Sequence, residues 1–113
     1  MEVRIKPVFY NEDGEKFFGT GPFRLLTAVE ETGSLLAAAK SMDMAYTKAM
    51  KLLKNAEKGL GFPLTERMTG GKQGGGSRLT ADGKEWMARY AAYKDALDEA
   101  NRKLYSEFFE GAR

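Results

Sequence analysis

The chain has 113 residues, 42% of them hydrophobic and 30% charged, and its formal net charge at pH 7 is +2. It contains no cysteine and no histidine, which excludes disulfides, thiolate or imidazole metal sites, and nucleophiles that depend on a Cys or a His base. This length supports one modest core, and no apolar run reaches the ~20 residues of a bilayer span, so we expect one cytoplasmic domain with an appendage and no signal peptide.

The N-terminal segment is predicted to form a β-hairpin. Apolar residues recur at every second position from Val3 to Phe9, which is the period of a strand with one buried face. Asp13-Gly14 is a common hairpin turn, and Lys16 to Phe18 supply the return strand. Pro7 suits an edge strand, because it has no N–H group to donate to a ladder.

A supporting helix is predicted after the hairpin. It has Pro22 in its first turn, where a missing N–H group costs nothing, and it ends at Gly33. Its apolar stripe consists of Phe23, Leu25, Leu26 and Val29. We assign no chemistry to this helix, which would complete the core of a three-helix unit.

Two further helices with a very short break between them have the sequence form of a helix-turn-helix. The first starts at Ser34, whose hydroxyl can cap the unpaired N–H groups of the first turn, and it runs to Lys40. Three successive alanines in it, from Ala37 to Ala39, allow another helix to cross closely, although alanines are also simply good helix formers. Ser41 to Met44 make the turn, in which Asp43 is the expected cap of the next helix.

The second helix of the pair is predicted over residues 45–58 and has two different faces. At 100° per residue the side chains that would pack are Ala45, Ala49, Leu52, Leu53 and Ala56, and those on the opposite side are Thr47, Lys51, Lys54 and Lys58. Taken alone, a lysine face is also typical of a solvated helix. The short helix before it and the glycine-rich loop after it favour a recognition helix.

Basic residues are concentrated in the middle of the chain. Between Lys40 and Arg78 there are eight basic and three acidic residues, whereas the rest of the chain has ten basic and thirteen acidic ones. A basic centre on an acidic background is typical of a protein that binds phosphates with one face.

A β-wing is predicted after the recognition helix. Leu64 to Met68 and Arg78 to Thr80 can form two short strands around residues 69–77, five of which are glycine. Arg67, Lys72 and Arg78 could contact a DNA backbone or reach a minor groove. A nucleotide-phosphate loop does not fit, because Lys72 is followed by Gln73 and not by Ser or Thr. A flexible linker remains an alternative.

The last segment is predicted to be one long helix over residues 81–109, capped by Thr80. Its large apolar residues recur at heptad spacing: Trp86, Tyr90, Tyr93, Leu97, Ala100, Leu104 and Phe108. A helix of that length measures ~43 Å, which is more than a small core can cover, so we expect its apolar seam to pair with a second copy. Alternatively the helix folds back on its own domain, with Trp86 and Tyr90 packed there.

Three sequence runs resemble one known family. ETGSLLAAAK, MAYTKAMKLL and above all LTERMTGGKQGGGSRLTADGKE look like the N-terminal DNA-binding domain of ModE-type molybdate-responsive transcription regulators, which are related to the winged helices of LysR-type regulators. The resemblance implies a dimeric winged helix that inserts its second helix in the major groove of a palindromic operator. It implies that Ala45, Tyr46, Thr47, Lys48 and Lys51 lie at base edges or nearby phosphates, with Arg67, Lys72 and Arg78 in the wing.

The chain also departs from that family. Residues 45–50 read Ala-Tyr-Thr-Lys-Ala-Met, where the family usually has Ser-Tyr-Lys-Arg/Ser-Ala-Trp, so the operator preference is expected to differ. Family members with a sensor function carry C-terminal molybdate-binding domains, and this chain ends at Arg113. We therefore expect no molybdate response within this polypeptide.

Together these patterns predict an α+β, mainly α, winged helix-turn-helix in residues 1–80 and a dimerisation helix in residues 81–113. The expected function is a homodimeric, sequence-specific regulator that binds double-stranded DNA, with no enzyme activity, cofactor or metal. The candidate DNA-binding residues are Ser34, Ala45, Tyr46, Thr47, Lys48, Lys51, Lys54, Arg67, Lys72, Gln73 and Arg78. A protein-interaction module that uses the same fold remains the alternative.

Overall fold

A computed structural model describes residues 1–69 and 76–110. In order along the chain, the elements are β1 (Phe9–Tyr10), β2 (Lys16–Phe18), α1 (Thr20–Thr32), α2 (Leu35–Ser41), α3 (Tyr46–Leu60), β3 (Thr65–Met68), β4 (Gly76–Leu79), α4 (Ala81–Tyr105) and a π-helical turn (Ser106–Glu110). In the described part the strands form two antiparallel two-stranded sheets, β1 with β2 and β3 with β4. The mainly helical α+β winged helix-turn-helix predicted from the sequence is confirmed.

The hairpin is shorter than predicted. Its strands pair Phe9 with Phe18, and the Asn11 carboxamide oxygen closes the turn by accepting from the backbone N–H groups of Asp13 and Glu15, both at 2.9 Å. The expected strand from Val3 onward was wrong. β2 has only three residues before the chain enters α1, so residues 1–8 have no strand to pair with.

Residues 1–8 lie against α4. The Asn101 side-chain amide donates to the Val3 carbonyl at 2.7 Å, and the Tyr90 hydroxyl donates to the Pro7 carbonyl at 2.8 Å. These bonds satisfy backbone groups that a longer hairpin would have paired. The N-terminal segment therefore adds to the surface of the long helix.

The C-terminus of α1 and the N-terminus of α2 lie where the sequence predicts them. α1 is closed by Gly33, whose φ is 84° and whose N–H donates to the Val29 carbonyl. The Ser34 hydroxyl accepts from the Ala37 N–H at 2.9 Å and caps α2. Ala38 and Ala39 are buried, so α1 and α2 pack backbone to backbone as predicted.

The turn between α2 and α3 differs from its prediction. The N-cap of α3 is Ala45, which makes no side-chain cap, and Ala45 is exposed and not on the packing face. Asp43 instead has φ 54° and precedes the cap by two residues. The turn is held by backbone bonds, in which the Met44 N–H donates to the Ala39 carbonyl at 2.9 Å and the Asp43 N–H to the Lys40 carbonyl at 3.0 Å.

One apolar core joins all of these elements. Its buried members are Phe18, Leu25, Leu26, Ala28, Val29, Leu35, Ala38, Ala39, Ala49, Leu53, Ala56, Leu64, Leu79, Met87 and Tyr90. They come from the hairpin, from the three helices of the helix-turn-helix unit, from the base of the wing and from the first turns of α4. The start of the long helix is therefore part of the core of the domain.

The start of α4 is fixed to the wing at Thr80 and Gly83. The Thr80 hydroxyl accepts from the Gly83 N–H at 2.9 Å and donates to the Pro63 carbonyl at 2.7 Å. A Cβ atom on Gly83 would lie 2.4 Å from the Leu64 carbonyl oxygen, which is closer than non-bonded atoms approach. Only glycine lets α4 pack this closely on the chain that enters β3.

Gly83→Ala is therefore expected to destabilise the fold by about 1–3 kcal/mol, even though alanine is the better helix former. The clash is with a backbone oxygen, which cannot rotate away. Gly21→Ala is the matched control, because a Cβ there meets nothing within 4 Å, and we expect it to be neutral or to stabilise by up to ~1 kcal/mol. Urea unfolding monitored by Trp86 fluorescence compares the two, and equal stabilities would contradict the close packing.

Two members of the predicted dimer seam lie inside the domain. Tyr90 is 1% exposed, so its side chain has no surface left for a second copy, which corrects its assignment to the seam. Trp86 is half-buried, with ring centroids 5.1 Å from Phe9 and 5.2 Å from Phe18. The alternative interpretation placed these two aromatics on their own domain. Tyr93, Leu104 and Phe108 are exposed, and their pairing remains a prediction.

Tyr90 should make stability depend on pH in the alkaline range. Burial raises the pKa of its phenol above the ordinary value of 10.0, and a hydrogen bond with the Thr20 side chain opposes this effect. The protonated phenol is thus favoured in the folded state, so its contribution is complete below about pH 10 and is lost as the pH rises through the raised pKa.

Tyr90→Phe is accordingly expected to lower the free energy of unfolding by about 1 kcal/mol near neutral pH, because the Pro7 carbonyl loses its donor. The difference between the two proteins should shrink as the pH rises above about 10. Urea unfolding at several pH values measures this difference, and a constant difference across the alkaline range would contradict it.

Candidate nucleic-acid interface

Helix α3 has one buried and one exposed face, as predicted. Ala49, Leu53 and Ala56 are buried in the core. The exposed residues include most of the candidate contacts on this helix: Tyr46, Thr47, Lys48, Lys51 and Lys54, followed by Asn55 and Lys58. Hydroxyl, aromatic and ammonium groups thus lie together on the surface of one helix. These are the kinds of groups that contact base edges and phosphates.

The lysines of α3 differ in their surroundings. Within residues 1–69 and 76–110, Lys48 and Lys51 form no ion pair, whereas the Lys54 ammonium lies 3.7 Å from the Glu57 carboxylate. The contact is long and its lysine end is exposed, so the Lys54 ammonium can exchange it for a closer anionic partner. All three ammonium groups are therefore available to phosphates.

The wing places its two described arginines on opposite faces. Arg67 stands opposite Ser77 in the β3–β4 ladder, and Glu66 opposite Arg78. Because neighbouring residues of a strand point to opposite faces, Arg67 and Arg78 cannot share one. The Arg78 guanidinium lies 3.6 Å from the Glu66 carboxylate. The candidate residues Lys72 and Gln73 lie outside the described residues.

A groove of about 920 Å³ separates α3 from the wing. Four of the candidate residues line it: Ser34 from the start of α2, Tyr46 and Lys54 from α3, and Arg67 from β3. The groove brings a lysine of α3 and an arginine of the wing to one surface, together with the carboxylates of Glu57 and Glu66. Thr47, Lys48 and Lys51 lie on the exposed face of α3 outside this lining, and Arg78 lies on the other face of the wing.

Apolar side chains also face this groove. Leu36, Met50 and Met68 line it beside the cations, and Leu36 and Met68 are exposed. Tyr46 is 41% exposed at the first position of α3. Exposed apolar groups next to cations suit a surface that covers both bases and backbone.

Glu57 is a functional candidate that sequence reasoning missed. Its side chain is only 16% exposed, and one carboxylate oxygen accepts from the Leu64 N–H at 2.8 Å. The sequence did hold one indication of this role, which is the position of Glu57 in the last turn of α3. A carboxylate is unfavourable at the negative end of a helix unless another contact stabilises it. Here that stabilisation comes from the backbone that leads into the wing.

The second strand of the wing is anchored to the other end of the helix-turn-helix. The Ser77 N–H donates to the Gly33 carbonyl at 2.8 Å. A Cβ atom on Gly76 would lie 2.3 Å from the same oxygen, so glycine is required for this contact.

Residues 1–69 and 76–110 hold no group of three or more His, Cys, Asp or Glu side chains that could bind a metal ion. Among the helices of that part of the chain, none combines the length and the apolar character needed to cross a bilayer.

Comparison with known proteins places the chain among bacterial regulators. The sequence pattern described as "Bacterial regulatory helix-turn-helix protein, lysR family" matches residues 22–84, which extend from α1 to the first turn of α4. The chain is 38% identical over 85 residues to the molybdenum transport protein ModE of Azotobacter vinelandii, covering 72% of this chain and 32% of that protein. It is 34% identical over 84 residues to the transcriptional regulator ModE of Haemophilus influenzae, covering 74% and 33%.

A third relative, the molybdenum transport protein ModE of Herbaspirillum seropedicae, is 42% identical over 66 residues, which cover 58% of this chain and 24% of that protein. The chain thus spans about a third or less of the length of these relatives.

Proposed function

The chain belongs to the lysR family of bacterial regulatory helix-turn-helix proteins, and from that premise we propose that it is a homodimeric transcription regulator that binds specific double-stranded DNA sequences. In this proposal α3 lies in the major groove, and the glycine-rich wing tip, residues 69–77, lies on the backbone or in the adjacent minor groove. The protein acts in the cytoplasm, where bacterial DNA lies.

The observation that carries the proposal is the common groove of α3 and the wing. Lys54 and Arg67 line that groove from two elements, and the exposed Lys48 and Lys51 lie further round α3, outside the lining. A surface with cations from two elements can follow a curved phosphate backbone. A lysine face that is only solvated would not be expected to lie next to a second cationic element.

The candidate residues then have distinct roles. Tyr46, Thr47 and Lys48 begin α3 and are proposed to read base edges, because the first turns of a recognition helix enter deepest into the major groove. Lys51 and Lys54 neutralise phosphates. Ala45 and the capped start of α2 at Ser34 approach the backbone, and the wing contributes Arg67, Lys72, Gln73 and Arg78.

Dimerisation is proposed to use the outer part of α4. The remaining seam residues are Tyr93, Leu97, Ala100, Leu104 and Phe108. The molecule measures 64 Å along its longest axis and 31 Å across, so the long helix extends well beyond the core that its first turns join. Pairing of two such helices would set the separation of two half-sites on DNA.

The relatives' names mention both molybdenum transport and transcription regulation. We carry over the regulatory role, because the family pattern matched at residues 22–84 covers the helix-turn-helix and the wing strands. We do not propose that the described residues bind molybdate.

Selection of bound sequences from a random pool of double-stranded DNA tests the proposal. We expect enrichment of a palindromic motif whose half-sites lie about one helical turn, or a multiple of it, apart. We also expect affinity for that motif to fall steeply with salt concentration. A pool that remains unenriched would reject sequence-specific binding and favour the protein-interaction alternative.

A further inference from the structure

Recognition helix and wing are joined at one partly buried carboxylate. We propose that Glu57 is a positioning residue that sets the distance between α3 and the wing, and thereby the spacing of the two DNA contacts. This inference rests on the proposed function and adds to it a residue that does not touch DNA itself.

The contact with the wing is a charge-assisted hydrogen bond. Glu57 Oε2 accepts from the Leu64 N–H at 2.8 Å, and Leu64 is fully buried immediately before β3. The side chain of Glu57 is itself largely shielded from water, and a bond to an ionised acceptor is stronger in such surroundings than in solvent. The first residue of the wing is thus attached to the last turn of α3.

Among the described residues, Glu57 is the only hydrogen-bond acceptor of the Leu64 N–H group. The Leu64 carbonyl accepts from the Thr80 N–H at 3.0 Å, which joins the two strands at the base of the wing. The Leu64 N–H group points the other way, towards α3. Without the carboxylate, a donor next to a buried side chain would lose its partner, and such a loss is costly unless the chain shifts to let water in.

The other attachment of the wing does not replace this one. Ser77 on β4 is bonded to the Gly33 carbonyl, which fixes the wing to the corner between α1 and α2. The base of β3 is also bonded to the start of α4, through Thr80, but among the described hydrogen bonds only that of Glu57 joins it to α3. Both strands must be held for the angle between the wing and α3 to be fixed.

Glu57 also holds a cation of the groove. Its Oε1 atom lies 3.7 Å from the Lys54 ammonium, and Lys54 lines the groove together with Arg67. The same carboxylate thus bonds to the base of the wing through one oxygen and lies near a phosphate-binding lysine with the other. The position of the charge in the last turn of α3, where the helix dipole disfavours it, indicates that these contacts compensate for it.

Tethered DNA cleavage measures the position of each element separately. The chain has no cysteine, so Thr47→Cys on α3 and Thr69→Cys at the end of β3 each give a unique thiol for an iron-chelate cleaving reagent. The DNA is the motif obtained by selection. In the Glu57→Ala background we expect cleavage from position 69 to fall about tenfold or to spread, while cleavage from position 47 changes less than about twofold.

Two further variants separate positioning from general destabilisation. Glu57→Gln keeps an oxygen that can accept from the Leu64 N–H, so it should restore most of the cleavage from position 69. Glu66→Ala is the matched control. It also removes a carboxylate, which pairs with Arg78 of the wing. Among the described hydrogen bonds and ion pairs, Glu66 makes no contact with α3. It should leave both cleavage patterns unchanged.

Amide hydrogen exchange gives a second readout that needs no DNA. The Leu64 N–H group should be protected in the unsubstituted protein and in Glu57→Gln, and should exchange at least about tenfold faster in Glu57→Ala. An unchanged wing pattern or unchanged exchange in Glu57→Ala would overturn the role of Glu57. If neither thiol variant cleaves the DNA while Glu57 is intact, the proposed function fails, and exchange at Leu64 still decides whether Glu57 holds the wing.

Discussion

Reversing the charges of Lys48 and Lys51 together is expected to lower affinity for the selected DNA by about 10²- to 10⁴-fold. Both side chains are exposed on α3, and in the described part of the chain neither has a carboxylate partner that would compete with DNA. Each charge-assisted contact contributes about 1.5–3 kcal/mol, and glutamate adds repulsion from the phosphates. Gel-shift titrations of the Lys48→Glu, Lys51→Glu double variant measure the loss.

The matched control reverses two exposed lysines elsewhere, Lys16 on the hairpin and Lys103 on α4. It has the same net charge as the test variant, so a general electrostatic effect would weaken both equally. We expect the DNA affinity of the control to stay within about tenfold of that of the unsubstituted protein, because distant surface charges are screened. The slope of log affinity against log salt should also fall by about 1 in the test variant alone, because Lys51 is the phosphate-binding member of the pair. Equal losses would mean that α3 has no special role.

Leu104→Glu is expected to weaken dimerisation by at least about 100-fold, because an uncompensated charge buried in an interface costs about 3–5 kcal/mol. Leu104 is 53% exposed in the single chain, so the change should alter the stability of the protomer by no more than about 0.5 kcal/mol. Sedimentation equilibrium measures the dimer. Affinity for the palindromic motif should fall in parallel, since a monomer contacts one half-site.

Ser106→Glu is the control for this variant. It adds the same charge to an exposed position that lies about 200° around the helix from Leu104, away from the seam. We expect it to remain dimeric. A dimer that survives Leu104→Glu and dissociates with Ser106→Glu would place the interface on the opposite face of α4.

Local chemistry explains why much of the fold could be predicted. The caps at Ser34 and Thr80 and the helix end at Gly33 each depend on bonds within a few residues, and all three are found in the structure. The two faces of α3 and the wing strands follow from periodicity and turn residues, which are also local properties.

Features that depend on distant contacts could not be predicted. The alternation from Val3 to Phe9 was compatible with a strand, but whether a strand forms depends on the length of its partner, and β2 is too short. Tyr90 had the right spacing for a dimer seam, yet its hydroxyl bonds to Pro7, more than eighty residues earlier. Periodicity identifies an apolar face and does not tell what covers it.

The same limit applies to the candidate site. The cations of α3 and the wing could be identified from charge and spacing, but the ladder register alone decides that Arg67 shares the groove with Lys54 and that Arg78 lies on the other face. Glu57 counted only as a negative charge in the sequence. Its partner, the Leu64 N–H group, becomes apparent only when the turn after α3 is folded.

In the proposed interface α3 and the wing contact the same stretch of DNA. Tethered cleavage from Thr47→Cys and Thr69→Cys in the otherwise unchanged chain tests this most directly. We predict that both thiols cleave within the same half-site, from the major groove for position 47 and at the adjacent backbone or minor groove for position 69. Cleavage from position 47 with none from position 69, or the reverse, would contradict a shared interface.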